Sequence, residues 1–194
     1  MNKQKPNMNA DEEKELVVRS LKGDRGAFET LVRKYQQAVF NYFIRLIQER
    51  ELSLDMTQEV FLRAYAALHT YKEKYRFSTW LFRIASNLLI DYWRKKKIPA
   101  LSIDVDPLAE DRQPIQIPDD TASPAEILEK KQMIEKIEQA ISQLPESWRE
   151  LFVLRHMNDF SYEEIAAIKA LPVGTVKNRV FQAKEWLRAK LEEK

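Results

Sequence analysis

The chain has 194 residues, 44% of them hydrophobic, with 32 Lys and Arg against 30 Asp and Glu, three glycines and no cysteine. That length suits one medium domain or two small ones. The missing cysteine excludes disulfides and thiolate metal sites, the scarcity of glycine disfavours a hairpin-rich sheet protein, and no apolar run approaches the roughly 20 residues that span a bilayer.

Ala, Leu, Glu, Lys, Arg and Gln dominate, which predicts an all-α protein. The opening "MNKQKPNMNADEEKE" has no apolar segment of the kind that secretory signals need, so a cytoplasmic protein without membrane insertion is expected. The net formal charge of +2 hides a segregation. Residues 71–97 and 169–190 are basic, whereas 98–127 carry Asp104, Asp106, Glu110, Asp111, Asp119, Asp120 and Glu126 against Arg112 alone. Two basic patches flanking an acidic tether suit a polyanion held at two places; ordinary solvated surface is the alternative.

Residues 1–10 are expected to be disordered. A first helix is predicted over 11–22 and is closed by Gly23. Asp24 then caps a long helix through about Ile47, whose apolar positions Phe28, Leu31, Val32, Tyr35, Val39, Phe40, Phe43 and Ile47 recur at three and four. Ser53 is the expected cap of the next helix, about 54–68, with Met56, Val60, Phe61 and Ala64 inward. "HTYKEKYRF", residues 69–77, breaks the period and reads as a loop, and Ser78 is the expected cap of the helix that follows. From Ile98 to Ser123 the period vanishes among prolines and acids, which places a flexible linker there. "SPAE" at 123–126 is a capping box with proline at the first helical position. That helix runs to about Gln143, and Pro145 restarts another. Ser161 and Glu164 make a second capping box before "YEEIAAIKA", and "LPVG" turns the chain into a last helix. The domains predicted are a first helical domain over 11–97, a linker over 98–123 and a second over 124–194.

Residues 161–190 have the layout of a helix-turn-helix: a short helix, a tight turn and a longer helix opened by small residues. With Val176, Val180, Ala183, Leu187 and Leu191 inward, Gly174, Thr175, Lys177, Asn178, Phe181, Gln182 and Lys184 point out. Amides pair with adenine, cations with guanine or phosphate, and a phenyl ring with a thymine methyl. A plain pair of antiparallel helices is the alternative. The helix after the loop is built differently. Leu81, Ile84 or Ala85, Leu88 and Tyr92 form its inward stripe, while Trp80, Arg83, Asn87, Asp91 and Arg94 share another face. Tyr71, Tyr75 and Phe77, interleaved with Lys72, Lys74 and Arg76, suit stacking of unpaired bases with their phosphates held. The first patch therefore suits single strands and the second suits duplex.

"KGDRGAFETLVRKY", "DMTQEVFLRAY", "FSTWLFRIASNLLIDYWRKKK", "LPESWRELFVLRHMNDFSYEEIAAI" and "PVGTVKNRVFQAKEWLR" occur in the order seen in bacterial RNA polymerase sigma factors of the extracytoplasmic-function group. The chain resembles that family over about 14–97 and 124–191. The resemblance implies two helical domains, of regions 2 and 4, and a cofactor-free transcription initiation factor rather than an enzyme. It implies that Asp55, Gln58, Glu59 and Arg63 dock the β′ clamp helices of core polymerase, with a further contact to the β flap. Lys72, Lys74, Tyr75, Arg76, Phe77, Trp80, Arg83, Asn87 and Arg94 would read and open the minus-ten element, Asp91 being structural beside Arg94 or Lys95. Lys177, Asn178, Phe181 and Gln182 would meet minus-thirty-five bases, with Thr175 and Arg179 nearer the phosphates and Lys184 also in the minus-thirty-five DNA-binding set. An anti-sigma partner is also implied. The departures are Ala170 and Asp159 where glycine is usual, Lys169 where an apolar residue is common, Gln182 where arginine is frequent, and "ERELSLDM" as a less typical lead into the core-docking helix. A free-standing helix-turn-helix regulator would account for 161–190 but not for the aromatic-basic loop or the carboxylate-amide face at 55–59. His69 and His156 have no ligand-spaced partners and no phosphate-cradling glycine loop exists, which argues against catalysis.

Overall fold

The computed structural model describes residues 10–97 and 124–192, and these form eight α-helices, one 3-10 turn and no strand. The tail ahead of residue 10, the linker and the Ser123–Glu126 capping box lie outside the residues whose side chains are described. Helix α1 (Ala10–Leu21) ends at Gly23, whose φ of 92° is the left-handed conformation that glycine adopts freely. Asp24 caps α2 (Arg25–Ile47) by accepting from the Ala27 amide at 3.1 Å, and it also receives Arg19 Nη2 at 2.7 Å. The guanidinium and the amide together hold its carboxyl below the ordinary range. Glu13 is buried in α1 and takes hydrogen bonds from Lys34 and Tyr35, tying α1 to α2.

Two expected starts are corrected. Helix α3 (Arg50–Ala67) begins a turn before Ser53, because Gln48 at φ 64° and the extended Glu49 reverse the chain sharply enough for Arg50 to open the helix. The Ser53 hydroxyl is buried and donates to the Glu49 carbonyl at 2.6 Å rather than capping. After a 3-10 turn (Leu68–Thr70), α4 (Phe77–Lys97) starts ahead of Ser78, because the Phe77 ring is drawn into the core against Tyr35 and Trp80.

The second half comprises α5 (Pro124–Ser142), α6 (Glu146–His156), α7 (Tyr162–Lys169) and α8 (Val173–Glu192). The capping box of α7 is fully formed: Ser161 Oγ accepts from the Glu164 amide at 3.1 Å and Glu164 Oε2 accepts from the Ser161 amide at 2.8 Å. Ala170 closes α7 in the left-handed region at φ 51° and ψ 44°, and Asp159 precedes it at φ 57°. In α8 the inward positions Val176, Val180, Ala183 and Leu187 are buried, but Leu191 is 45% exposed, in the last turn past Leu187. That corrects its place in the inward stripe.

The core is continuous across the halves. Leu31, Val39, Phe43, Val60, Leu81 and Ala85 fill the first, and Leu144, Leu151, Leu154, Ile165, Val176 and Val180 fill the second. Helix α7 packs along α4, and α6 packs against α2. The Phe82 and Phe160 rings meet edge-on across this boundary, 4.8 Å between centroids. Helix α4 is therefore buried on a second face, beyond the expected stripe of Leu81, Ala85 and Leu88. That face, with Phe82 and Ser86, serves the second half.

Candidate nucleic-acid interface

The loop between the 3-10 turn and α4 is held by a knot of rings. The Tyr71 hydroxyl donates to the Tyr75 carbonyl at 2.9 Å, and its ring stacks edge-on to Phe77 and Trp80 at 5.8 and 5.7 Å. This knot fixes the loop's curvature and presents Lys72, Lys74 and Tyr75 outward, with Lys74 Nζ 5.4 Å from the Tyr75 ring centre. One cleft of about 390 Å³ gathers Thr70, Lys72, Lys74, Tyr75, Thr79, Trp80, Arg83, Ile84 and Asn87, and Ala167 of α7 closes one side. Its lining is an aromatic floor and a cationic rim with one amide, which can sandwich a planar base and hold its phosphates.

The cleft does not include all the expected residues. Phe77 is 1% exposed, so its ring has no face to offer a base; it supports Trp80 instead, and its place among the readers is corrected. Arg76 is exposed outside the cleft, with Nη1 3.8 Å from Glu164 Oε1 of the second half. Arg94 lies about 21 Å along α4 from Trp80, where its guanidinium reaches Asp91 at 3.4 Å. Trp80 is half-buried, whereas Arg83 and Asn87 are exposed.

On α8 the residues named from the sequence form one outward face. Lys177, Asn178, Gln182 and Lys184 are exposed, Phe181 is 57% exposed, and Thr175 and Arg179 are partly covered. An exposed phenyl ring amid amides and cations on a helix of 20 residues has the dimensions of a major-groove reader. On α3, Asp55, Gln58 and Arg63 are exposed and Glu59 pairs with Arg63 at 2.6 Å. Sequence reasoning missed the apolar part of this surface: Leu54 is 41% and Leu62 66% exposed. The signal was present, since both stand one turn from Gln58 on the same helix.

Among the described residues no group of His, Asp or Glu could hold a metal ion, and no helix is long and apolar enough to cross a membrane.

The family model for sigma-70 region 2 matches residues 31–98, and that for sigma-70 region 4 matches residues 134–187. The chain is 34% identical over 182 residues to the ECF RNA polymerase sigma factor SigW of Bacillus subtilis, covering 93% of this chain and 97% of that protein. It is 35% identical over 178 residues to the ECF RNA polymerase sigma-E factor of Escherichia coli, covering 91% and 93%. Among solved structures, CnrH in complex with the cytosolic domain of CnrY is similar at a TM-score of 0.68, with 22% identity, 93% of this chain and 97% of that chain. The sigma factor RpoE in complex with the anti-sigma factor NepR from Bartonella quintana gives 0.64, with 22% identity, 86% and 97%.

Proposed function

Because this chain belongs to the ECF family of RNA polymerase sigma factors, carrying sigma-70 regions 2 and 4, we propose that it acts in the cytoplasm as follows. It binds core polymerase through α3, reads minus-thirty-five duplex through α8, and receives a flipped non-template base of the minus-ten element in the cleft at the start of α4. The reading assigns the domains to 11–97 and 124–194. A sigma factor confers specificity; it is not an enzyme.

The observation that carries the reading is the cleft itself. It combines Trp80 and Tyr75 rings with Lys72, Lys74 and Arg83 and the Asn87 amide. Stacking one base on such rings contributes about 1–3 kcal/mol, comparable to the cost of taking a base out of the duplex. The cations hold the strand once the base has left, and the amide inspects its edge. The partners are therefore core polymerase, through the β′ clamp helices and β flap, and promoter DNA, with an anti-sigma factor as the restraining partner. The solved relatives above, bound to CnrY and NepR, support that last partner.

The test compares parent and Trp80→Ala protein, each reconstituted with core polymerase on a promoter fragment, by permanganate reactivity of unpaired thymines and by gel shift of the unmelted complex. Strand opening should fall by about tenfold or more while duplex binding stays within about twofold. Equal loss of both would remove the melting role. A footprint made by this chain without polymerase would favour the free-standing regulator instead.

A further inference from the structure

Three side chains from different elements converge on Glu150 of α6, which is only 2% exposed. Lys169 Nζ, at the last residue of α7, lies 2.6 Å from Glu150 Oε2. Across the boundary between the halves, Tyr42 of α2 donates to Glu150 Oε1 at 2.9 Å, and Ser86 of α4 donates to the same oxygen at 2.7 Å. Ser86 Oγ in turn accepts from Lys169 Nζ at 2.8 Å. The ion pair thus belongs wholly to the second half, and both hydroxyls belong to the first. Among the described residues, the carboxylate that each hydroxyl meets is Glu150, from the other half. Tyr42 is fully buried, and burial together with the adjacent carboxylate pushes its phenol well above the ordinary range, so the group is a permanent donor. A buried ion pair is stable only when its remaining lone pairs and protons are satisfied. Here the first half supplies that satisfaction.

The same docking narrows the base cleft on one side. Ala167 of α7 forms one of its walls. Glu164 Oε1 receives the Thr79 hydroxyl at 3.3 Å and stands 3.8 Å from Arg76, placing an acid beside the cleft and next to a cation that a phosphate would otherwise seek. We propose that the buried Tyr42–Ser86–Glu150–Lys169 cluster is a latch that holds the second half of this chain docked against one wall of its own minus-ten cleft, so that the protein restricts that cleft without a partner. The consequence for DNA rests on the cleft assignment above; the latch does not. Breaking it costs two hydrogen bonds to a carboxylate, whose contributions of about tenfold each or more in equilibrium constant must be recovered from the contacts each half makes to polymerase and promoter.

The chain contains no cysteine, so Gln36→Cys and Glu185→Cys, both at exposed helix positions, give unique sites for a donor–acceptor dye pair reporting the distance between halves. The full chain is compared in three forms: parent, Tyr42→Phe/Ser86→Ala, and Lys169→Met. The first variant strips the latch from one side and the second from the other, and both keep the apolar volume. The parent should show one compact population. Each variant should add an extended population, with the open-to-closed ratio raised about tenfold or more, and should bind a single-stranded minus-ten oligonucleotide more tightly by a similar factor. Variants that keep the parent's distance distribution would overturn the latch, as would a parent that is already extended. Loss of cooperative melting by both variants would also overturn it, because the cluster would then be the core of one domain. A changed distance with unchanged oligonucleotide affinity would leave the latch standing and remove the cleft assignment.

Discussion

Replacing Ala170 by glycine should stabilise the protein, against the usual sign for such a change. Ala170 closes α7 at φ 51° and ψ 44°, a conformation that costs an L-residue about 1–2 kcal/mol and costs glycine nothing. Glycine returns about 0.4–1 kcal/mol of that advantage through the greater freedom of its unfolded chain. Ala170 is exposed, so no packing is lost, and the bond from its amide to the Ala166 carbonyl does not depend on the side chain. The balance is a gain of roughly 0.8 kcal/mol, equivalent to about 2–3 °C in a protein of this size. The same substitution at Ala189, exposed in the interior of α8, supplies the contrast, with an expected loss of about 1 kcal/mol. Urea unfolding followed by circular dichroism measures both. If Ala170→Gly destabilises as Ala189→Gly does, backbone strain does not reside at the turn of the helix-turn-helix.

Asn178→Ala removes an exposed amide from the outward face of α8 and should relax preference at one minus-thirty-five position by about 1–3 kcal/mol; selection from a randomised promoter library checks this, and an unchanged profile assigns Asn178 no base contact. Glu59→Lys breaks the 2.6 Å pair with Arg63 and sets two cations one turn apart. It should weaken association with core polymerase by at least tenfold in a pull-down while leaving the melting temperature within a few degrees.

The features legible in the sequence were those with local causes. Gly23, Asp24 and the Ser161–Glu164 box announce helix ends because capping is settled within four residues. The buried stripe of α8 follows from a 3.6-residue period. Features set by distant partners were hidden. Phe77 sits among basic loop residues and reads as a base platform, yet Tyr35, 42 residues earlier, claims its ring. Tyr42 and Ser86 interrupt no pattern. Their burial makes sense only once Glu150, from the far side of the acidic segment, is brought to them. Lys169 was visible as an oddity, a cation at a position that ought to be apolar. Its reason is a carboxylate that no spacing rule connects to Ser86. Most of the candidate site was readable because loop 71–76 and α4 are contiguous. The wall contributed by Ala167 was not, because it arrives from another part of the chain.

The outward face of α8 stays uncovered while α7 walls one side of the cleft on α4. That asymmetry imposes an order of events. With α8 meeting duplex and the α4 cleft meeting a separated strand, as proposed, the first surface is available in the resting posture and the second has a wall borrowed from the other half. Polymerase, which a sigma factor requires before it protects a promoter, would then have only the second of these surfaces to free.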